Sequence, residues 1–180
     1  MNDYTQFTEV SGSQITKDQL DRMIQRYTWA SSLIHPGSEV LELCCGSGQG
    51  IGILSSKAKN ITAVDVTHSL INQARGTYTG RDNIKLIIND AARYASECKD
   101  MYDTIVIFEA IYYIKDPLDL LADLANMLKP NGSILITWPN PGFRGFTPSQ
   151  HSYVYPDEEW FHGLDKFFNG NISILSLIHI

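Results

Sequence analysis

From Glu39 onward, five short apolar runs alternate with amphipathic stretches, and this alternation leaves the chain few folds to choose from. The runs are EVLELC (39–44), ITAVDV (61–66), IKLIIND (84–90), TIVIFEA (104–110) and SILITWP (133–139). Between them the spacing of apolar residues predicts helices near Gln49–Lys57, Ser69–Arg75, Ala91–Cys98 and Pro117–Leu128. The last opens on Asp116-Pro117, a cap followed by proline at the first helical position. Lys129-Pro130-Asn131-Gly132 reads as its stop and a turn. Strands alternating with helices imply βαβ units, hence an α/β fold with a doubly wound, mostly parallel sheet and helices on both faces.

The flanks differ in character. Thr16-Lys17-Asp18-Gln19 fits a capping box, and Leu20, Met23, Ile24, Tyr27 and Ile34 then follow a helical stripe that HPGS (35–38) ends. After Pro139 comes a Gly- and Pro-rich loop (140–156), then a helix in DEEWFHGLDKFF and a last strand in ISILSLIHI. The expected organisation is one domain over 1–180. It comprises an N-terminal helical arm (1–38), a ligand-binding core (39–141) and a substrate loop with helix and strand (142–180).

Composition narrows the function classes. Hydrophobic residues make up 43% of 180 and charged residues 19%, as in ordinary globular chains. A formal net charge of -6 argues against nucleic acid as a partner, because phosphate contacts need clustered Lys and Arg. MNDYTQFTEV lacks the basic and apolar regions of a signal peptide, and no run is long enough to span a bilayer. No membrane partner is therefore expected. Three cysteines, two of them adjacent, make a poor disulfide framework, so a cytoplasmic location is expected. Cys44 and Cys45 lack metal-ligand spacing, and no metal is expected.

Ligands of parallel sheets sit beyond the carboxyl ends of the strands, and CGSGQG follows the first strand there. Gly46 and Gly48 allow a sharp turn and close backbone approach. Asp65 ends the second strand, where a carboxylate can accept from both ribose hydroxyls, and Asp90 ends the third, placed for an adenine amine. Each alone reads equally well as a helix cap. Together, after a glycine turn, they point to an adenosine-containing ligand. The dinucleotide fingerprint fails, because its third glycine falls on Ile51, or on Ile53 if started at Gly48. A phosphate-binding P-loop fails for want of Gly-Lys-Ser/Thr.

With Glu42 ahead of Gly46 and Gly48, ELCCGSG resembles the acid-x-Gly-x-Gly-x-Gly motif of class I S-adenosylmethionine-dependent methyltransferases, which are Rossmann-like. It departs at Cys44, where the family usually has glycine. The resemblance continues through AVDVT, NDAA, FEAIYYIKDP and LKPNGSILITWPNP, over roughly 39–141. It implies S-adenosyl-L-methionine as cofactor and S-adenosyl-L-homocysteine as product. Glu42 would orient the loop, whose carbonyls around Cys44–Gly46, with those near Phe108, would offset positive charge. Val66 would lie against the adenine, and Ala91 would supply a backbone donor. Tyr112, Tyr113, Trp138, Asn140 and Arg144 would face the acceptor.

His151 is the candidate base for a hydroxyl acceptor, with Glu109 and the two tyrosines as alternatives. FEAIYY lacks the Pro-Pro-Tyr/Phe signature of enzymes that methylate nucleic-acid bases, which favours a small-molecule acceptor, O- or N-methylated, with a sugar or natural-product pathway as the candidate setting. The other readings are an NAD(P)-dependent oxidoreductase or epimerase, and a non-catalytic adenosyl-binding relative. The family sheet has seven strands, and six are legible here. Either the edge is reduced, or the chain is truncated, or a partner covers the strand edge, as a homodimer through it would.

Overall fold

The computed structural model describes residues 16–138 and 163–164. Helix α1 (Lys17–Leu33) leads into β1 (Glu39–Leu43), α2 (Ile51–Leu54), β2 (Asn60–Asp65), α3 (His68–Thr77) and β3 (Ile84–Ile88). Then come α4 (Ala91–Glu97), β4 (Tyr102–Phe108), a 3₁₀ turn (Ile111–Tyr113), α5 (Pro117–Asn126) and β5 (Leu128–Thr137). All pairings are parallel, in the order β3-β2-β1-β4-β5. The expected Rossmann-like fold is thus present, with β1 at its centre.

Period-two alternation divides each central strand between two cores. Leu41, Leu43, Ile105 and Ile107 pack with Tyr94 of α4 and Leu120, Leu121 and Leu124 of α5. Val40, Ala63, Val106 and Phe108 pack with Tyr27, Ala30 and Ile34 at α1, Leu54 of α2 and Ile71 of α3. A sheet covered on both faces needs apolar residues at successive positions, which is why these strands read as continuous runs.

Helix α1 starts on the expected capping box. Thr16 Oγ1 accepts from Gln19 N at 3.2 Å, and Gln19 Oε1 accepts from Thr16 N at 2.8 Å. Its buried stripe runs Met23, Tyr27, Ala30 and Ile34, while Leu20 and Ile24 remain exposed at 38% and 43%. Ile24 lies one residue, about 100° around the helix, from Met23, off the line of that stripe. Helix α2 is shorter than expected, and α5 ends two residues early.

Lys129–Gly132 does not close a turn between elements; it lies inside β5. Between Tyr102↔Leu128 and Thr104↔Ser133 β5 advances five residues while β4 advances two, so the ladder is interrupted there. Asn131 has φ +64°, and a Cβ on Gly132 would come within 2.9 Å of the Lys129 carbonyl oxygen. Of the helix expected in 157–168, the described part, Gly163 and Leu164, is helical; the strand expected over 172–180 lies outside the described residues.

Candidate functional site

Because all five strands are parallel, the segments after them meet along one edge of the sheet. The loop after β1 runs from 44 to 50. Cys44, Gly46 and Gly48 all have positive φ, at 58°, 57° and 78°. A left-handed backbone costs an L-residue roughly 1–2 kcal/mol, which explains the glycines and is the cost that Cys44 carries. Here a side chain occupies a position made for glycine. Gly48 has further reason to be bare: an added Cβ would meet Ile51, Tyr78 and Ala74 at 3.1–3.2 Å.

Asp65 fastens this loop to the second strand. Its Oδ2 accepts from Gly46 N at 2.9 Å and its Oδ1 from Thr67 N at 2.8 Å, with the residue 9% exposed. Each carboxylate oxygen retains a second lone pair for another donor. Asp65→Ala is therefore expected to destabilise the chain by about 2–4 kcal/mol, since two N–H groups lose an ionised acceptor. Equilibrium urea unfolding measures this, and an unchanged midpoint would contradict the fastening role.

Glu42 lies beneath the loop, 1% exposed. Tyr27 of α1 donates its hydroxyl proton to Glu42 Oε1 at 2.6 Å, while Oε2 is buried without a partner among the described residues. Burial pushes the Glu42 carboxyl up to about 7, opposed by the Tyr27 hydrogen bond and reinforced by nearby Asp65. Tyr27 is itself raised, by burial first and then by Glu42. Burial and the surrounding carboxylates likewise raise both Cys44 and Cys45. They are thiols rather than thiolates, poorly suited to nucleophilic or metal-binding roles. Among the described residues no three His, Cys, Asp or Glu side chains converge on a metal position.

The other expected site residues distribute along the same edge. Val66 follows β2 and is half-buried. Asp90 caps α4, accepting from Arg93 N at 3.0 Å, and Ala91 is the first residue of that helix, buried. The capping role read for Asp90 alone is thus real. Phe108 ends β4, buried, with its ring 5.1 Å from that of Tyr27 in an edge contact. Tyr112 and Tyr113 form the 3₁₀ turn with rings 4.5 Å apart, and burial raises the Tyr112 phenol. Trp138 follows β5 and packs, half-buried, on the α4–α5 core. Asn140, Arg144 and His151 lie outside the described residues.

Sequence reasoning missed several participants. Tyr27 reads as one more residue of an apolar stripe, yet its hydroxyl reaches the site. Arg26, beside it, pairs with Glu109 at 3.4 Å, and Glu109 has φ +50°. Gly50 is glycine because Tyr27 occupies its side-chain space: an added Cβ would sit 1.8 Å from Tyr27 Cε1. Tyr78 donates to the Gly48 carbonyl at 2.6 Å and accepts from Gly52 N at 3.0 Å, tying the loop to α2. A helical tyrosine carries no local signal for any of this.

Comparison with known proteins gives a consistent picture. A family model described as a methyltransferase domain matches residues 15–176. The ubiquinone biosynthesis O-methyltransferase of Rickettsia akari is 28% identical over 102 residues, covering 57% of this chain and 40% of its own length. Nodulation protein S of Rhizobium tropici is 26% identical over 103 residues, covering 56% and 42%. The N-methyltransferase NodS from Bradyrhizobium japonicum, solved in complex with S-adenosyl-L-homocysteine, shares the fold with a TM-score of 0.58 at 23% identity. The match covers 67% of this chain and 62% of that one. The chain spans less than half the length of these curated relatives.

Proposed function

We propose that this chain, which belongs to the class I S-adenosylmethionine-dependent methyltransferase family, transfers a methyl group to the oxygen or nitrogen of a small molecule. The observation that carries the reading is the unpartnered Glu42 Oε2 beneath a left-handed glycine turn. It offers a buried carboxyl, able to ionise, where the cofactor's cationic end would be held. The residues present fit that cofactor. Glu42, Asp65 and Asp90 concentrate negative charge at the strand ends, and glycines keep the loop backbone open to close approach. Asp65 would take the ribose hydroxyls on its remaining lone pairs, Val66 would lie on the adenine, and Ala91 N would donate to it.

When bound, S-adenosyl-L-methionine supplies a methyl group activated by its positively charged sulfur. The chain's contribution is then largely positioning, which can account for much of the barrier to an in-line displacement. Tyr112, Tyr113 and Trp138, with Asn140 and Arg144, would wall and orient the acceptor. His151 would take the proton from a hydroxyl acceptor. His151→Ala should accordingly lower kcat by about 10²–10⁴-fold while leaving cofactor affinity within a factor of two or so. Equal loss of binding and turnover would remove it from that role.

Relatives that methylate oxygen and nitrogen support a small acceptor without choosing between the two atoms. The net charge of -6 argues in the same direction, away from a nucleic-acid substrate. The deciding experiment is calorimetry with S-adenosyl-L-methionine, S-adenosyl-L-homocysteine and NAD, followed by transfer of labelled methyl to panels of phenols, sugars and amines. Binding of NAD with neither sulfur ligand bound would overturn the reading. So would cofactor binding without transfer to any class of small acceptor, which would favour a non-catalytic relative.

A further inference from the structure

The contact between Tyr27 and Glu42 joins a helix outside the strand–helix repeat to the floor of the cofactor loop. Resting on the methyltransferase reading, we propose that Glu42 is a proton-exchanging counterion and that Tyr27 is the positioning residue that holds it. A cofactor cation brought against Oε2 displaces the carboxyl's proton to solvent, while Tyr27 holds Oε1 in place.

The geometry supports this in three ways. First, the carboxyl has one oxygen fixed by a short bond from Tyr27 and the other buried with no donor among the described residues. An ionised carboxylate so enclosed lacks solvation on one side, so the neutral acid is favoured until a cation arrives. Second, Tyr27 is itself immobilised. Its ring fills the space over Gly50 and meets Phe108 edge-on. Third, among the described residues the groups facing Glu42 supply it with no cation of its own. Asp65 of β2 repels its charge, and Cys44, Cys45 and Tyr78 are neutral neighbours raised by it. On β4 its register partner is the apolar Val106. Arg26 of α1 acts on Tyr27, but its guanidinium pairs with Glu109. The burial that raises the carboxyl to about 7 puts the exchange near neutral pH.

The balance is simple: the O–H bond of the Glu42 acid breaks, its proton goes to buffer, and the negative charge left behind faces the incoming cation. That cation is either the sulfonium or the ammonium of the cofactor's amino-acid end, and the ligand series separates them. S-adenosyl-L-methionine carries both, S-adenosyl-L-homocysteine only the ammonium, and adenosine neither.

The test is titration calorimetry of the intact chain in buffers of different ionisation enthalpy, from pH 5.5 to 8.5. Each ligand is compared between wild type and Glu42→Gln, so that the ligand amine's own titration near pH 8 cancels. Wild type should release close to one proton per site near pH 6, falling towards zero above pH 8. Its affinity should drop about tenfold per pH unit below 7. Glu42→Gln should release none and show a flat profile. Release with both sulfur ligands assigns the ammonium; release with S-adenosyl-L-methionine alone assigns the sulfonium. Tyr27→Phe, which keeps the ring, should shift the midpoint of release upward by roughly one pH unit, because the ionised form loses a hydrogen bond.

Heats independent of buffer in wild type, or equal release with adenosine, overturn the proposal while leaving the family's cofactor intact. A Tyr27→Phe variant with weaker binding but an unmoved midpoint reduces Tyr27 to a structural role and overturns its part. Failure of wild type to bind either sulfur ligand overturns the methyltransferase reading itself, and this inference with it.

Discussion

Gly50→Ala should lower the unfolding free energy by about 3.5–7.5 kcal/mol, a large share of what an ordinary domain possesses. The backbone is not the cause, since Gly50 has φ -88° and ψ -18°, open to any residue. The cause is a ring already in the way: the new Cβ would lie 1.8–2.2 Å from three carbons of Tyr27. Such overlap cannot be relieved by a few tenths of an ångström, so Tyr27 must leave its site. Leaving exposes a large side chain now 8% exposed, at roughly 1.5–3 kcal/mol. It also breaks the bond to Glu42, worth about 1.5–3 kcal/mol, and the edge contact with Phe108, worth about 0.5–1.5 kcal/mol. The decisive check is a double-mutant cycle by urea denaturation. On a Tyr27→Ala background, which has already lost all three terms, Gly50→Ala should cost little, giving a coupling energy of several kcal/mol. Equal penalties on both backgrounds would refute the mechanism.

Glu42→Gln should make the ligand-free chain more stable at pH 8 than wild type, relative to the same comparison at pH 5, by about 2–3 kcal/mol. The sign follows from the folded carboxyl lying near 7, above the ordinary glutamate value of 4.5. Between those values the folded chain holds a proton that the unfolded chain has released. Stability from this group is therefore complete below about pH 4.5 and is lost as pH rises through 7. Glutamine resembles the protonated acid in shape, can still accept from Tyr27, and does not titrate. Unfolding curves of both proteins at pH 5 and pH 8 measure the difference directly. A gap that does not change with pH would mean that Glu42 is already ionised in the folded chain at pH 5. The stabilising substitution is also expected to weaken cofactor binding, because it removes the buried anion.

How much of this was legible before the structure depends on the range of the interaction involved. The five strands could be read because each residue of a doubly covered strand is selected for burial on one face or the other. The cap of α1 was equally plain, its partners being three residues apart. The glycine turn and the carboxylates after β1, β2 and β3 were visible for a related reason. Each is a residue type at a strand end, and a parallel sheet gathers its strand ends. What escaped depends on contacts between distant segments. Nothing near Tyr27 says that its hydroxyl will find Glu42, or that its ring explains Gly50. Lys129–Gly132 reads as a turn because its residues suit one; that it interrupts the pairing of β5 with β4 depends on the partner strand and has no local signal. Cys44 was noticed as a departure from the motif; its φ of 58° supplies the reason glycine is the usual choice there.

The strand order also has a consequence in time. As the chain is synthesised, β2 can join β1 and β3 can join β2 in turn, each pairing with a strand just made. The other edge of β1 must wait for β4, some sixty residues later: Val40 pairs with Thr104 and Leu43 with Ile107. Until then the central strand of the finished sheet is an open edge of Val, Leu and Leu, with Glu42 among them. Open apolar edges invite pairing with the wrong chain. An acidic side chain that will later sit at the bottom of the site thus has an earlier use, as a charge on the one edge that a growing chain must keep single.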